Sequence, residues 1–97
     1  MDGLRFVWDE SKNKTNQRKH VISFEEAQTV FFDERAIEYF DPDHSEEEDR
    51  FLLFGLSFRL RVLVVCHCYR ASQGVIRLIS ARKATRKERE HYGGMRL

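Results

Sequence analysis

Between Val62 and Tyr92 the chain reads VLVVCHCYRASQGVIRLISARKATRKEREHY, and this stretch constrains the fold more than any other. Leu60 to Tyr69 is rich in β-branched and aromatic residues, as a strand buried on at least one face should be. The turn cluster Ala71-Ser72-Gln73-Gly74 ends it, and Val75 to Ser80 begins a second apolar run. So short a connection joins antiparallel neighbours. Arg82, Lys83, Arg86, Lys87 and Arg89 then crowd together, and Thr85-x-x-Glu88 forms a capping box that starts a helix. Gly93-Gly94 is expected to close that helix. A sheet edge feeding a cationic helix makes a phosphate-binding corner, and function is expected there.

Ninety-seven residues make one domain, 1–97, with 41% hydrophobic residues to build a core. No run approaches the roughly 18 apolar residues of a membrane span, and the N-terminus lacks a signal-peptide core. A cytoplasmic protein without a membrane association is expected. The formal charge of +1 conceals an asymmetry. Residues 1–58 carry 7 Lys+Arg against 14 Asp+Glu, or −7, and residues 59–97 carry 10 against 2, or +8. The basic half can attract a polyanion, or the acidic half can fold over it and neutralise it.

Both cysteines sit in Cys66-His67-Cys68. Alternation along a strand puts the thiols on one face and the imidazole on the other. Cα atoms two apart in a strand are about 6.5–7 Å apart, at the limit of disulfide geometry. Buried reduced thiols are the expectation, rather than a metal pincer or a disulfide.

Leu4 to Trp8 reads as a short strand, and Asp9 can cap a helix from Glu10 to His20. That helix has no apolar stripe, so its ends, charge pairing or a ligand must hold it. Lys12, Asn16 and Lys19 share one face, and His20 sits where the helix dipole favours an imidazolium. Ser23-x-x-Glu26 opens a second helix through about Phe32, with Phe24, Ala27, Val30 and Phe31 as its core stripe. Ala36 to Phe40 and Phe51 to Phe58 read as strands, the latter interrupted at Gly55. Between them lie the turn Asp41-Pro42-Asp43 and an acidic run, Glu46 to Asp49, expected to be solvated. Arg59 is a turn candidate. The order predicts an α+β domain: an antiparallel meander of four or five strands, two N-terminal helices on one face and a C-terminal helix.

Simple alternation on the last strand sets Val75, Arg77, Ile79 and Ala81 against Ile76, Leu78, Ser80 and Arg82. With Ile76 and Leu78 against the helices, Arg77 stands on the open face, beside His67 if the register allows. Such a group, with Lys83 and Tyr92 at its rim, has the parts for phosphodiester cleavage without a metal or other cofactor. Guanidinium groups bind phosphate oxygens and stabilise the charge of the transition state, and an imidazole can move protons at neutral pH. RNA supplies its own nucleophile, the 2′-hydroxyl, and the products would carry a 2′,3′-cyclic phosphate and a 5′-hydroxyl. Duller readings stand beside these: His67 as a satisfied strand histidine, Arg77 as a partner of the acidic half, Arg82 to Arg89 as a solvated helix, Tyr92 as core. No glycine-rich nucleotide loop, metal cluster or Ser/His/Asp arrangement competes.

Phe6-Val7-Trp8-Asp9, Lys12, Asn16, Lys19-His20 and Ser23-Phe24-Glu25-Glu26-Ala27 resemble the opening of BrnT-type toxins. Arg77-Leu78-Ile79-Ser80-Ala81-Arg82-Lys83-Ala84-Thr85, with Glu88, Arg89 and Tyr92, is similar to their ending. The resemblance spans nearly the whole chain. It implies a RelE-like fold and a ribonuclease toxin of a type II toxin–antitoxin system that arrests translation. It also implies a BrnA-type antitoxin partner, through which the complex would bind operator DNA and repress its own operon. Carried onto this chain, the motif positions are Lys19, His20, Arg77, Arg82, Lys83, Glu88 and Tyr92, while Arg50 and His67 fall where the family often has Arg and His. In this reading Arg77 and Arg82 hold the scissile phosphate with Lys83 assisting, His67 or His20 is the base, and Tyr92 or Glu88 is its proton partner. Lys12, Lys19, Arg50, Arg86 and Arg89 would contact RNA. Val21 stands where the family usually has glycine after Lys-His, and Cys66 and Cys68 replace β-branched residues. The alternative is a non-catalytic nucleic-acid- or partner-binding co-repressor.

Overall fold

A computed structural model describes residues 3–45, 47–70 and 74–94. Its elements are β1 (Arg5–Val7), α1 (Glu10–His20), α2 (Phe24–Ala27) continued by a 3₁₀ segment (Gln28–Phe32), β2 (Ile37–Asp41), a 3₁₀ turn (Pro42–His44), β3 (Arg50–Leu56), β4 (Val62–Tyr69), β5 (Val75–Lys83) and α3 (Arg86–Gly94). The strands form one sheet in the order β1-β5-β4-β3-β2. β2 to β5 are the expected antiparallel meander, but β1 pairs with β5 in parallel, so the sheet is mixed. The reason is topological: β1 does not precede β5 through a hairpin, and α1 and α2 carry the chain from that edge to β2. The last helix ends at Gly94, within the Gly93-Gly94 pair expected to close it. The expected turn at 71–73 and the first residue of the acidic run, at 46, lie outside the described residues.

Ile22, Phe24, Ala27, Val30, Leu53, Leu63, Val65, Ile76, Leu78 and Ala81 form the main core between the sheet and α1–α2. At Gly55 a Cβ would stand 3.0 Å from Val30 Cβ and 3.2 Å from Val30 O, so glycine lets the 3₁₀ segment lie directly on β3. That close approach explains why the strand pattern breaks there without the strand ending.

The polar helix α1 is held by two buried asparagines. β1 covers β5 only as far as Arg77, and Asn16 takes over as a substitute strand partner. Its Nδ2–H donates to Ala81 O (2.8 Å) and to Ile22 O (2.8 Å), and its Oδ1 accepts from Ala81 N–H at 3.0 Å. Asn13 Oδ1 accepts from Phe24 N–H at 2.9 Å, joining α1 to the start of α2. An amide side chain offers a donor and an acceptor in one plane, as a backbone peptide does. Hydrogen bonding thus replaces the missing apolar stripe.

Val21 ends α1 at φ 61°, ψ 27°, with its N–H donating to Gln17 O at 2.9 Å. The left-handed turn therefore forms despite the β-branched residue, which is costly there. Because Val21 is 71% exposed, its side chain returns little burial energy. Val21→Gly is expected to stabilise the protein by about 1 kcal/mol and raise Tm by about 4–8 °C. A thermal melt with Tm unchanged or lower would contradict the strain.

A candidate active site on the open face of the sheet

The face of the sheet turned away from α1 and α2 carries the candidate site, and a β-bulge decides which side chains reach it. β4 and β5 pair Cys66 with Ser80 but His67 with Leu78, so Ile79 is an extra residue on β5. The bulge resets the alternation. Leu78 and Ala81 both point into the main core, while Arg77 and Arg82 both reach the open face, paired with Cys68 and Val64. Simple alternation had separated the two arginines; one inserted residue reunites them.

The same register moves His67 to the other side. It pairs with Leu78 and Phe51 and is 0% exposed, with Phe31 edge-on at 4.8 Å between ring centroids. Its Nδ1 lies 3.1 Å from Val65 O and its Nε2 2.9 Å from Glu38 Oε2. His67 therefore does not stand beside Arg77; it is packed between sheet and helices. Neighbouring Tyr69 also donates to Glu38, and burial, then that carboxylate, pushes its phenol well above the usual value.

Arg50 joins Arg77 instead. Asp41 pairs with Arg50 across β2–β3, and Cys68 pairs with Arg77 across β4–β5, so these residues form a row on the open face. Glu48, in the connection leading to β3, reaches back over the row. Arg77 Nη2 donates to Glu48 Oε2, and Arg50 Nη2 lies 4.0 Å from the same oxygen. Cys68 lies beneath: burial above all pushes its thiol up, Glu48 adds to that and Arg77 opposes it. A protonated thiol under a carboxylate is the result. Among the described residues neither the buried Nε–H of Arg50 nor that of Arg77 has an acceptor. Such unmatched donors are uncommon inside proteins, and one carboxylate leaves them unsatisfied where an anion with more oxygens could serve both. Beside them Asp43, His44, Glu47, Glu48 and Arg50 line a cleft of about 320 Å³.

The other candidates fall elsewhere. Arg82 donates to both oxygens of Glu88, at 2.8 and 3.0 Å, so its fork is already filled. Glu88 also accepts from Thr85 N–H (2.8 Å), and Glu88 N–H donates to Thr85 Oγ1 (3.1 Å), closing the expected capping box. Lys83 pairs with Leu63 and is exposed on the helix side, away from Arg77. Tyr92 is buried and donates to Asp33 Oδ2, and with Arg89, Arg35 and Leu56 it lines a separate cleft. Arg86 pairs with Glu90 at 3.5 Å. Lys12, Lys19 and His20 converge with Ser80 around a pocket of about 230 Å³ on the rim of β5. Tyr39 and His91 are hydrogen-bonded across an apolar groove lined also by Leu52 and Phe54, under α3. Among the described residues no three His, Cys, Asp or Glu side chains are grouped as metal ligands.

Glu48 and His44 carried no sequence signal, because an acidic, polar loop reads as solvated whether or not it folds back on a sheet. The charge asymmetry resolves in both ways. Glu26 neutralises Arg61 and Glu48 meets Arg77, while among the described residues Lys12, Lys19, Lys83 and Lys87 make no ion pair.

The Arg82–Glu88 pair sets an acid limit on stability. Hydrogen bonds from Arg82 foremost, against the opposing effect of burial, hold the Glu88 carboxyl at about 2, well below the usual carboxylate range. A folded value below the unfolded one adds stability above the unfolded value and loses it as pH falls toward the folded one. Glu88→Gln is expected to lower unfolding free energy by about 1–2 kcal/mol at neutral pH. In urea titrations that deficit should fade between roughly pH 5 and 2; a deficit independent of pH would contradict the pairing.

Comparison with known proteins places this architecture. Residues 8–88 match the sequence model of a family described as "Ribonuclease toxin, BrnT, of type II toxin-antitoxin system". The crystal structure of the Brucella abortus ribonuclease toxin, BrnT, superposes with a TM-score of 0.64 at 22% sequence identity, covering 86% of this chain and 99% of that one. At that identity the likeness establishes a shared α+β fold. No curated protein sequence matches the chain.

Proposed function

Since this chain belongs to the BrnT ribonuclease toxin family of type II toxin–antitoxin systems, we propose that it is a metal-independent endoribonuclease whose phosphate site is the Arg50–Arg77 pair. The single observation that carries this reading is the pair of buried Nε–H groups around one carboxylate, neither with an acceptor among the described residues. A scissile phosphate displaces Glu48 from the guanidinium groups, whose planar forks match its oxygens and stabilise the added charge of the phosphorane. The displaced Glu48 carboxylate accepts the 2′-hydroxyl proton as the 2′-oxygen attacks phosphorus. The P–O5′ bond then breaks, leaving a 2′,3′-cyclic phosphate and a 5′-hydroxyl. Three residues along β5, about 10 Å from Arg77, Ser80 meets the Lys12–Lys19–His20 pocket, which offers a track for a neighbouring phosphate.

The chain acts in the cytoplasm as one RelE-like domain that arrests translation. A BrnA-like antitoxin covers the basic surface and supplies DNA binding, so that the complex represses its own operon. β2 is an edge strand and offers backbone groups for such a partner. The test is incubation of the purified toxin with RNA in the presence of EDTA, followed by analysis of product ends. Cyclic phosphate termini, absent when the antitoxin is added, are expected. Salt-sensitive RNA binding with no cleavage at any protein concentration would replace the enzyme with a non-catalytic co-repressor.

A further inference from the structure

We propose that His44 is the general acid of the cleavage step, donating the proton that the departing 5′-oxygen needs; this rests on the ribonuclease reading above. The chain has four histidines, and the structure separates them. His67 is sealed inside the protein, His91 is hydrogen-bonded to Tyr39 in the groove under α3, and His20, the last residue of α1, lines a separate pocket with Lys12 and Lys19. His44 alone lines the cleft shared by Glu48 and Arg50. Glu88 and Tyr92 are committed to Arg82 and to Asp33.

The ring is also held as a proton donor should be. Asp41 is the last residue of β2, fixed opposite Arg50 by the strand register, and Pro42 starts the 3₁₀ turn that returns His44 over it. His44 Nδ1 lies 3.0 Å from Asp41 Oδ2. The carboxylate engages Nδ1 and so leaves Nε2 as the nitrogen that can meet a leaving group. Among the described residues Nε2 has no hydrogen-bond partner, and the ring is 67% exposed at the mouth of the cleft. A short turn thus joins an oriented imidazole to the arginine that binds phosphate.

The protons balance. Glu48 takes the 2′-hydroxyl proton as the 2′-O–P bond forms, and the imidazolium Nε2–H passes its proton to O5′ as the P–O5′ bond breaks. Neutral His44 and protonated Glu48 then return to their starting states through one proton exchanged with water.

A leaving-group substitution tests the assignment. At a linkage that the wild-type protein is first shown to cut, the bridging 5′-oxygen is replaced by sulfur, whose thiolate departs without a proton. His44→Ala is expected to cut ordinary RNA about 10²–10³-fold more slowly and the 5′-thio RNA at nearly the wild-type rate. Arg77→Ala should be slow on both. Circular dichroism and Tm of His44→Ala should match wild type, since the ring is exposed and unpacked. A His44→Ala protein that is as fast as wild type on ordinary RNA, or equally slow on both RNAs, overturns this assignment and leaves the ribonuclease reading standing. Wild-type protein that cuts no RNA overturns both.

Discussion

Arg77→Ala is expected to lower RNA cleavage by about 10²–10³-fold while Tm stays near the wild-type value. The loss follows from geometry: Arg77 supplies one of two buried Nε–H donors on the open face, and without it Arg50 alone faces the phosphorane charge. The fold should survive because the Arg77 side chain is 25% exposed and its partner Glu48 37% exposed, so water can solvate what remains. Arg77→Lys should recover only part of the activity, because an ammonium is a point charge without the planar fork. Single-turnover cleavage assays alongside thermal melts separate the two effects. Undiminished cleavage by a folded Arg77→Ala protein would remove the arginine pair from the mechanism.

The largest expected effect on stability lies on the opposite side of the molecule. Glu26 is 3% exposed, and it accepts from Arg61 Nε (3.0 Å) and Ser57 Oγ (2.7 Å). Burial, the largest influence on its carboxyl, would push it up; the bonds from Arg61 and Ser57 outweigh that and hold it below the usual value. Arg61→Ala leaves a buried carboxylate with a hydroxyl as its remaining hydrogen-bond partner, and is expected to cost about 3–5 kcal/mol, lowering Tm by about 12–40 °C. The pH dependence carries the signature. In the variant the folded-state value of Glu26 rises above the unfolded one, so folding is favoured as pH falls and the proton binds. The deficit should therefore shrink between about pH 7 and 5, and Glu26→Gln placed on Arg61→Ala should recover part of it. A deficit that is constant with pH would point to lost packing by the arginine stem rather than to a stranded charge.

Patterns that depend on near neighbours were readable in the sequence. The Ser23 N-cap, the capping box at Thr85, the helix after Asp9 and the four meander strands follow from local chemistry, and all form; the second half of the box expected at Ser23 does not, because the Glu26 carboxylate turns to Arg61 and Ser57. What was hidden depends on pairs distant along the chain. The parallel β1 could not be foreseen, because three residues carry no signal for which strand they join. Reading β5 as uninterrupted put Arg77 and Arg82 on opposite faces, since a bulge at Ile79 has no marker such as glycine. Whether His67 stood beside Arg77 or was a satisfied strand histidine turned on the register, and a strand histidine among Val, Leu and Phe is in fact interior. Asn16 looked like part of a polar surface face with Lys12 and Lys19 because a polar side chain that replaces a strand's backbone is indistinguishable, in sequence, from a surface one. Lys83 and Tyr92, carried over by resemblance, sit away from the arginine row, while Arg50, carried over in the same way, sits within it.

The arginine row as the seat of the scissile phosphate is tested most directly by a crystal structure of the protein with a short RNA whose 2′-hydroxyls are methylated, so that it binds uncut. The predicted result is one phosphate between Arg50 and Arg77, accepting from both Nε–H groups, with Glu48 turned out of the pair. A phosphate seated on Lys12 and Lys19, or under α3, with Glu48 still bound to Arg77, would contradict it.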